Sequence, residues 1–433
     1  MNENSNIFIN KKILVYGLGK TGVSAFNFLK KNNNVFIFDD FEKKILNLSI
    51  KKKLISFKKI VSFGFDLIIL SPGIDINNCR LSKLLKKNLK NIYTDLDVFY
   101  SFYKNTCITV TGTNGKSTTC QLLYEVLKSQ RIDVKLVGNI GYPILSAKKI
   151  LPKTIFVIEA SSYQLDYSKI FNSKYAAILN LSPDHIERHK TLKNYISAKF
   201  KLLKNQSMNS IAFVNKYDPL IQKNIKSNHY KSKIIQVNTK FKNSFLINFT
   251  NDYLLSNSNK ENLSFVLEII KKFKINKNKI LDTIRKFKGL KYRQQTIYKN
   301  KNLIIINDSK STSYSSSIEM LKSSKNIKWL LGGIPKKGDK LILPKKFHKN
   351  IDALIFGQNY KKFSKDLKNK INYKTYKNLK QALNDIFLKI KKKNSKKIKI
   401  LFSPAAASFD SFQNFEERGH YFNKLIKEYL NGR

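Results

Sequence analysis

Asn105–Leu127 reads NTCITVTGTNGKSTTCQLLYEVL. It opens with the apolar run Cys107 to Val110, continues through a segment of small residues, and closes with Leu122, Leu123, Val126 and Leu127 at helical spacing. Strand, loop and helix in that order predict one unit of a parallel α/β sheet. The loop itself is Thr111, Gly112, Thr113, Asn114, Gly115, Lys116, Ser117, Thr118. Val110 stands where strict Walker spacing would have its first glycine, yet the physics of phosphate binding survives that departure. Small residues leave backbone N–H groups open to phosphate oxygens, and the helix N-terminus adds partial positive charge. Lys116 can reach the terminal phosphates and Ser117 can hold Mg²⁺. ATP use is the expectation.

Outward from this loop, two more strand ends carry polar groups. Glu159 follows the apolar run Ile155 to Ile158 and precedes Ala160, Ser161, Ser162, Tyr163 and Gln164. A carboxylate at the carboxyl end of a neighbouring strand is placed to hold the Mg²⁺ of a nucleotide. Asn180 to His185 follows the run Ala176 to Leu179, and His185 is one of five histidines. Such a histidine is either structural or a metal ligand. Lys199 falls on a predicted helix, where periodicity marks it as one more solvated lysine.

The first ~95 residues alternate apolar runs (Lys12 to Tyr16, Val35 to Phe38, Leu67 to Leu70) with helical patterns, as βαβ units do. Gly17-Leu18-Gly19-Lys20-Thr21-Gly22 follows the first run, with Asp39 ending the second. Glycines there serve a nucleotide's phosphates or merely a tight turn, so the ligand stays open. Ser71-Pro72-Gly73 lies at a strand end as well, either as a ligand contact or as an ordinary loop. A third system runs through Leu303 to Ile306, Trp329 to Leu331, Ile351 to Phe356 and Ile398 to Phe402. Asp308, Ser309, Lys310 and Thr312, then Gly332, Gly333 and Lys336, then Ser403 to Asp410, follow its strands and describe one rim of a sheet. The stretches Asn224 to Ser244 and Lys271 to Lys279 read as surface loops and helix faces.

At 433 residues, with 42% hydrophobic and 12% aromatic residues, the chain has material for several cores, and three domains are expected. The formal charge of +53 comes from 82 basic against 29 acidic residues, with only seven arginines. The lysines are spread along the chain, as in Lys51 to Lys53 and Lys391 to Lys393, rather than gathered with aromatics on one face. No specific nucleic-acid partner is therefore expected. A polyanion-binding protein is the alternative of another class. Three cysteines, Cys79, Cys107 and Cys120, lack metal-ligand spacing and suggest a reducing cytoplasm. No apolar run approaches the ~18 residues of a membrane span.

The constellation resembles the Mur ligase family, over nearly the whole chain. The resemblance rests on GTNGKST at Gly112 to Thr118, EASSYQL at Glu159 to Leu165, LNLSPDH at Leu179 to His185, YISAK at Tyr195 to Lys199, NDSKST at Asn307 to Thr312, and SPAAASFDSFQNFEERG at Ser403 to Gly419. The last two mark the branch that adds D-glutamate. The resemblance implies a Rossmann-like UDP-sugar domain (1–95), a central P-loop ATPase with a mostly parallel sheet (96–296) and a C-terminal Rossmann-like amino-acid domain (297–433). It implies an ADP-forming amide ligase of peptidoglycan precursor synthesis, acting as a cytoplasmic monomer on UDP-N-acetylmuramoyl-L-alanine and D-glutamate. A different Mur-type or folylpolyglutamate-type ligase is the nearer alternative.

Residue roles follow from the same resemblance. Two Mg²⁺ ions would be held by Ser117 and Glu159, and by His185 and Lys199, the lysine carrying a CO₂-derived carbamate. Gly17, Gly19, Thr21, Gly22, Asp39, Asp40, Ser71, Pro72, Gly73, Asn139, Ser161 and Gln164 would contact the UDP substrate. Besides the loop Gly112 to Thr118, the nucleotide would meet Asn259, Asn262, Arg293 and Asp308. Lys310 would serve the inter-domain site. Thr312, Lys336, Ser408 and the backbone of Phe415 would take D-glutamate. The chain departs from the family at Ser258 and Tyr292, where histidine is usual, at Gln295 for Glu, Ser313 for Asn and Ala406 for Cys.

Overall fold

The computed structural model describes residues 6–41, 48–240, 251, 253–254, 256–336, 338–392 and 397–431, so the end of the polar stretch read at 224–244 lies outside the described residues. Three α/β domains with mostly parallel sheets make up the chain. The first sheet comprises β1 (Lys12–Tyr16), β2 (Asn34–Phe38), β3 (Leu67–Leu70) and β4 (Ile92–Tyr93), in the order β2-β1-β3-β4 and all parallel. The second comprises β5 (Cys107–Thr111), β6 (Val134–Gly138), β7 (Ile155–Glu159), β8 (Tyr175–Ile178), β9 (Ile211–Asn215) and β10 (Lys233–Val237). Its order is β10-β9-β8-β5-β7-β6, again parallel.

The third sheet holds β11 (Gln295–Lys299), β12 (Leu303–Asn307), β13 (Ile327–Leu331), β14 (Ile351–Phe356), β15 (Asn372–Tyr376) and β16 (Ile398–Phe402). Its order is β11-β12-β16-β13-β14-β15, with β11 antiparallel to β12 and the other pairs parallel. The chain groups into two compact units, Met1–Asn248 with Glu261–Ile284, and Phe249–Lys260 with Arg285–Arg433. The first unit contains two sheets and the second unit one.

Parallel sheets covered by helices on both faces bury their strands completely, which is why the central ones are uninterrupted apolar runs. CITVT in β5 and IFVIE in β7 are buried at every position. Edge strands obey a different rule. The strand β10 (KIIQV) and the strand β15 (NYKTY) are half exposed and carry lysine, which blunts an edge against pairing. Polar composition therefore hid β10 inside the stretch read as loop, and that reading is corrected. The strand β8 also starts one residue earlier than the apolar run Ala176 to Leu179 suggested.

The sheet order places the site. From β5 the chain passes to β6 and β7 on one side and then to β8 on the other, so β5 lies between β7 and β8. Loops leaving the carboxyl ends of these three strands open at one topological switch point, where ligands of open α/β sheets sit. Among the described residues no helix is long and apolar enough to cross a membrane.

Candidate active site

The loop after β5 enters the helix Lys116–Ser129 through Gly115, which has φ +84°. An ideal Cβ on Gly115 would lie 2.1 Å from Asn262 Oδ1, so both the left-handed backbone and the close approach require glycine. The segment after β8 clasps this loop. The Thr113 N–H donates to Asn180 O at 2.9 Å, the Asn114 N–H to Asn180 Oδ1 at 2.8 Å, and the Ser182 N–H to Thr113 Oγ1 at 3.0 Å. Tyr195, on the helix Leu192–Lys204, brings its hydroxyl within 2.9 Å of Thr113 Oγ1. The phosphate loop is thereby fixed before any ligand arrives, as a phosphate cradle must be. The Lys116 ammonium lies over the loop and donates to Gly112 O and Thr113 O, both at 2.8 Å.

Glu159 ends β7 beside the loop. Ser117 Oγ donates to Glu159 Oε2 at 2.5 Å, and Asn139 Nδ2, just past β6, donates to Oε1 at 3.1 Å. Ser117 and Glu159 are both 2% exposed. Among the described residues no three His, Cys, Asp or Glu side chains form a ready metal cage. A hydroxyl and one carboxylate, both hard oxygen donors beside a phosphate loop, suit Mg²⁺, which takes few protein ligands and completes its octahedron with water and phosphate. The donor set therefore fits that ion.

Lys199 overturns the surface reading that composition gave it. The lysine is 2% exposed, and its Nζ donates to Gly112 O at 2.9 Å and lies 3.4 Å from Thr111 Oγ1. Burial, reinforced by the nearby charge of Lys116, holds its pKa well below the usual lysine range, against the opposing pull of Asp184 and Glu159. A buried ammonium is costly, so the neutral amine is favoured.

His185 starts the short helix Ile186–His189 with a left-handed φ of +55°. Its Nδ1 is 2.7 Å from the Tyr163 hydroxyl, and its Nε2 is 3.4 Å from Asp184 Oδ2. Neighbouring His189 is buried against Ser162 Oγ at 3.0 Å, and burial lowers its pKa. Of the two histidines, only His185 is partly exposed, with 34% of its side chain open.

In the first sheet, the turn after β1 is compact. A Cβ on Gly22 would sit 1.7 Å from Gly17 O, so the helix Lys20–Leu29 can pack onto the turn only with glycine there. Ser71 Oγ donates to Gly17 O at 2.8 Å, which joins the loop after β3 to the glycine turn. The Leu18 N–H donates to Asp39 Oδ2 at 2.6 Å, and the Tyr16 hydroxyl to Asp40 Oδ1 at 2.6 Å. The Gln164 side chain is engaged within the fold. Its Oε1 accepts from the Ser161 N–H at 3.1 Å in a capping box, and its Nε2 donates to the buried Asp95 at 3.2 Å. Burial pushes the Asp95 carboxyl up to about 6, Gln164 opposing and Asp97 adding to the shift.

The second unit gathers the remaining candidates by itself. Asn259 Nδ2 donates to Tyr253 O at 2.8 Å, and Ser258 Oγ lies 3.5 Å from Ser256 Oγ. Asp308 is buried and pushed up to about 7 by burial, against the Gln294 N–H, the Ser403 hydroxyl, Arg293 and Arg418. Lys310 lies 4.0 Å over the Phe415 ring, and Arg293 6.0 Å from it. Tyr292, at a position where the resemblance leads to the expectation of histidine, adopts φ +61° and its N–H donates to Gln295 Oε1 at 3.1 Å. Ile334 and Ala407 exchange backbone bonds at 2.9 Å, which brings the loop of Lys336 beside that of Ser408. Ser313 caps the helix Tyr314–Lys322, just past Thr312.

Arg418 holds this group together, and the sequence reading did not single it out. The residue is 1% exposed, with Nη2 donating to Ser309 O at 2.7 Å and to Ala406 O at 3.0 Å, and Nε donating to Ser309 Oγ at 3.1 Å. Ser309 Oγ in turn donates to Phe415 O at 2.8 Å. Its scarcity was the available signal, since a planar fork is what seven arginines among 82 basic residues would be kept for.

Residues 11–92 match the family model described as Mur ligase MurD-like, N-terminal domain, and residues 110–280 match Mur ligase middle domain. The chain is 34% identical to UDP-N-acetylmuramoylalanine--D-glutamate ligase of Rickettsia felis, over 98% of each chain. It is 36% identical to the protein of that name in Buchnera aphidicola, over 97% of this chain and 99% of the relative. Among solved structures, UDP-N-acetylmuramate-alanine ligase MurC of Thermotoga maritima superposes with a TM-score of 0.56 at 17% identity, covering 98% of this chain and 100% of the other. The MurF ligase of Thermotoga maritima in complex with ADP gives 0.57 at 15% identity, covering 99% and 97%. At those identities the likeness concerns the fold.

Proposed function

The chain belongs to the Mur ligase family, and from that premise we propose that it joins D-glutamate to UDP-N-acetylmuramoyl-L-alanine with cleavage of ATP to ADP and phosphate. The observation that carries this reading is full-length similarity to relatives of that name, at 34% and 36% identity. The reaction activates a carboxylate by phosphorylation, and the amine of D-glutamate then displaces phosphate from the acyl phosphate through a tetrahedral intermediate. Carboxylate and triphosphate repel each other, so catalysis consists mainly of positioning and charge neutralisation.

Each sheet edge has a task in this reading. Residues 1–95 bind the UDP moiety at Gly17 to Gly22 and Ser71 to Gly73, with Asp39 or Asp40 toward the uracil. Residues 96–296 hold ATP on the loop Gly112 to Thr118, where Lys116 neutralises the terminal phosphates, and Asn139 orients Glu159 through its 3.1 Å bond. Residues 297–433 take D-glutamate at Thr312, Lys336, Ser408 and Phe415, hydroxyl, ammonium and N–H donors suited to a carboxylate. By the same reading Asn259, Asn262, Arg293 and Asp308 are assigned to the nucleotide, and Lys310 to the reacting groups.

Ser117 and Glu159 would hold one Mg²⁺, and His185 with a carbamylated Lys199 a second; bound there, the ions supply positive charge to the transferring phosphoryl group. The carbamate is supported by the position of Lys199, buried beside the loop with its Nζ 2.9 Å from Gly112 O. Carbamylation of the neutral amine places an anion beside Lys116, where an ammonium would meet a like charge, and makes a metal ligand. The setting is the cytoplasm, where ATP is available.

Amino-acid-dependent ADP release tests the reading. UDP-N-acetylmuramoyl-L-alanine with D-glutamate should support turnover, and diaminopimelate, lysine or L-glutamate should not. Turnover with one of these instead would reassign the enzyme within the family.

A further inference from the structure

The proposed reaction requires the UDP-sugar and the phosphates to be in register, and one side chain spans the two places that would hold them. Arg188 lies in the short helix Ile186–His189, three residues past His185. Its Nη2 donates to the carbonyl of Ile74, and its Nε lies 3.6 Å from Asp75 Oδ1. The guanidinium carbon is 4.9 Å from the centroid of the Tyr163 ring, and the hydroxyl of that ring is 2.7 Å from His185 Nδ1. Only 11% of the Arg188 side chain is exposed.

At its far end, Arg188 grips the loop after β3. The Ile74 N–H closes a turn onto Ser71 O at 3.0 Å, and Ser71 Oγ binds Gly17 O at 2.8 Å. Asp75 also accepts from the Asn77 N–H at 2.9 Å and from Asn78 Nδ2 at 2.8 Å. One contiguous set of hydrogen bonds and one guanidinium–ring contact therefore runs from the glycine turn through Ser71, Ile74 and Arg188 to Tyr163 and His185. A carbonyl, a carboxylate and a ring face are served together by a planar fork, whereas a lysine ammonium has no flat face to lay on the ring while its donors reach the other two.

We propose that Arg188 is a positioning residue that couples occupation of the UDP-sugar site to the placement of His185. The inference rests on the UDP-sugar and metal assignments made above. Coupling between two sites is reciprocal in binding free energy, so it can be read from either side without turnover.

The experiment measures, by calorimetry on the full chain, the affinity for UDP-N-acetylmuramoyl-L-alanine with and without Mg²⁺ and a non-hydrolysable ATP analogue. Wild type should bind at least about fivefold tighter with them. In R188K the factor should fall below twofold, while affinity for the ATP analogue alone stays within twofold of wild type. Millimolar guanidinium should restore the factor in R188A. If R188A does not fold, D75N, which keeps the bond to Ile74, should give an intermediate factor. An unchanged factor in R188K, or no factor in wild type, overturns the proposal. A wild-type protein that does not bind the UDP compound at all would instead remove the reading of the site.

Discussion

The Nζ atoms of Lys116 and Lys199 both donate to one acceptor, the carbonyl oxygen of Gly112, at 2.8 and 2.9 Å. Two full charges that close repel strongly in a buried place. The deeper residue yields, and Lys199 is the one held well below the usual lysine pKa, by burial first and by Lys116 second.

Lys199→Ala should abolish nearly all ligase activity, with millimolar short carboxylic acids restoring part of it by occupying the space of the carbamate. ADP release with and without acetate or propionate is the measurement. Full activity in the unsupplemented variant would sink the assignment of Lys199.

Glu159→Gln keeps the shape of the side chain but removes the charge that faces Ser117 Oγ at 2.5 Å. The Mg²⁺ concentration for half-maximal ADP release should rise by about 100-fold, at or beyond the 10–100-fold that outer partners of a metal ligand cost. A Mg²⁺ titration unchanged from wild type would place the ion elsewhere.

Gly115→Ala forces a methyl group to within 2.1 Å of Asn262 Oδ1 at φ +84°. Left-handed backbone alone costs an alanine about 1–2 kcal/mol, and the clash adds to it. Thermal unfolding should shift downward and ATP-analogue affinity should fall at least tenfold. Gly64→Ala, with nothing within 4 Å of its ideal Cβ, serves as the control and should change neither.

Asp95 gives a pH dependence of stability. Its carboxyl is raised from 3.8 to about 6, chiefly by burial, so between those values the folded chain binds more protons than the unfolded chain. Stability from this group is therefore full at low pH and is lost as pH rises through about 6. Asp95→Asn preserves an acceptor for Gln164 Nε2 and removes the titration. Unfolding free energies from denaturant titrations at pH 5 and pH 7 should differ less in the variant than in wild type, by about 1 kcal/mol. An identical pH slope would show that Asp95 does not contribute.

Legibility in the sequence followed the strength of local patterns. Runs such as Cys107 to Val110 and Ile155 to Ile158 are apolar because both faces of the sheet are covered, and they marked β5 and β7 within one residue. The strands β10 and β15 carry lysine because they lie at edges, and local pattern cannot separate such a strand from a loop. Arg188 and Arg418 bind backbone carbonyls on segments far away in the chain, those of Ile74 and Ser309, and no spacing rule encodes such a partner.

The sequence by itself determined the parallel α/β class, the phosphate loop at Gly112 to Thr118 and, through its motifs, the family. These are local or recurrent features, written in residues adjacent along the chain. Only the tertiary structure decided that Lys199 is buried against Gly112 rather than solvated among its many neighbours of the same type, because burial depends on which sheet a helix packs on. It likewise decided that Glu159 meets Ser117, and that Gln164 is committed to Asp95. Strand order brings those ends together, and strand order is a property of long-range packing.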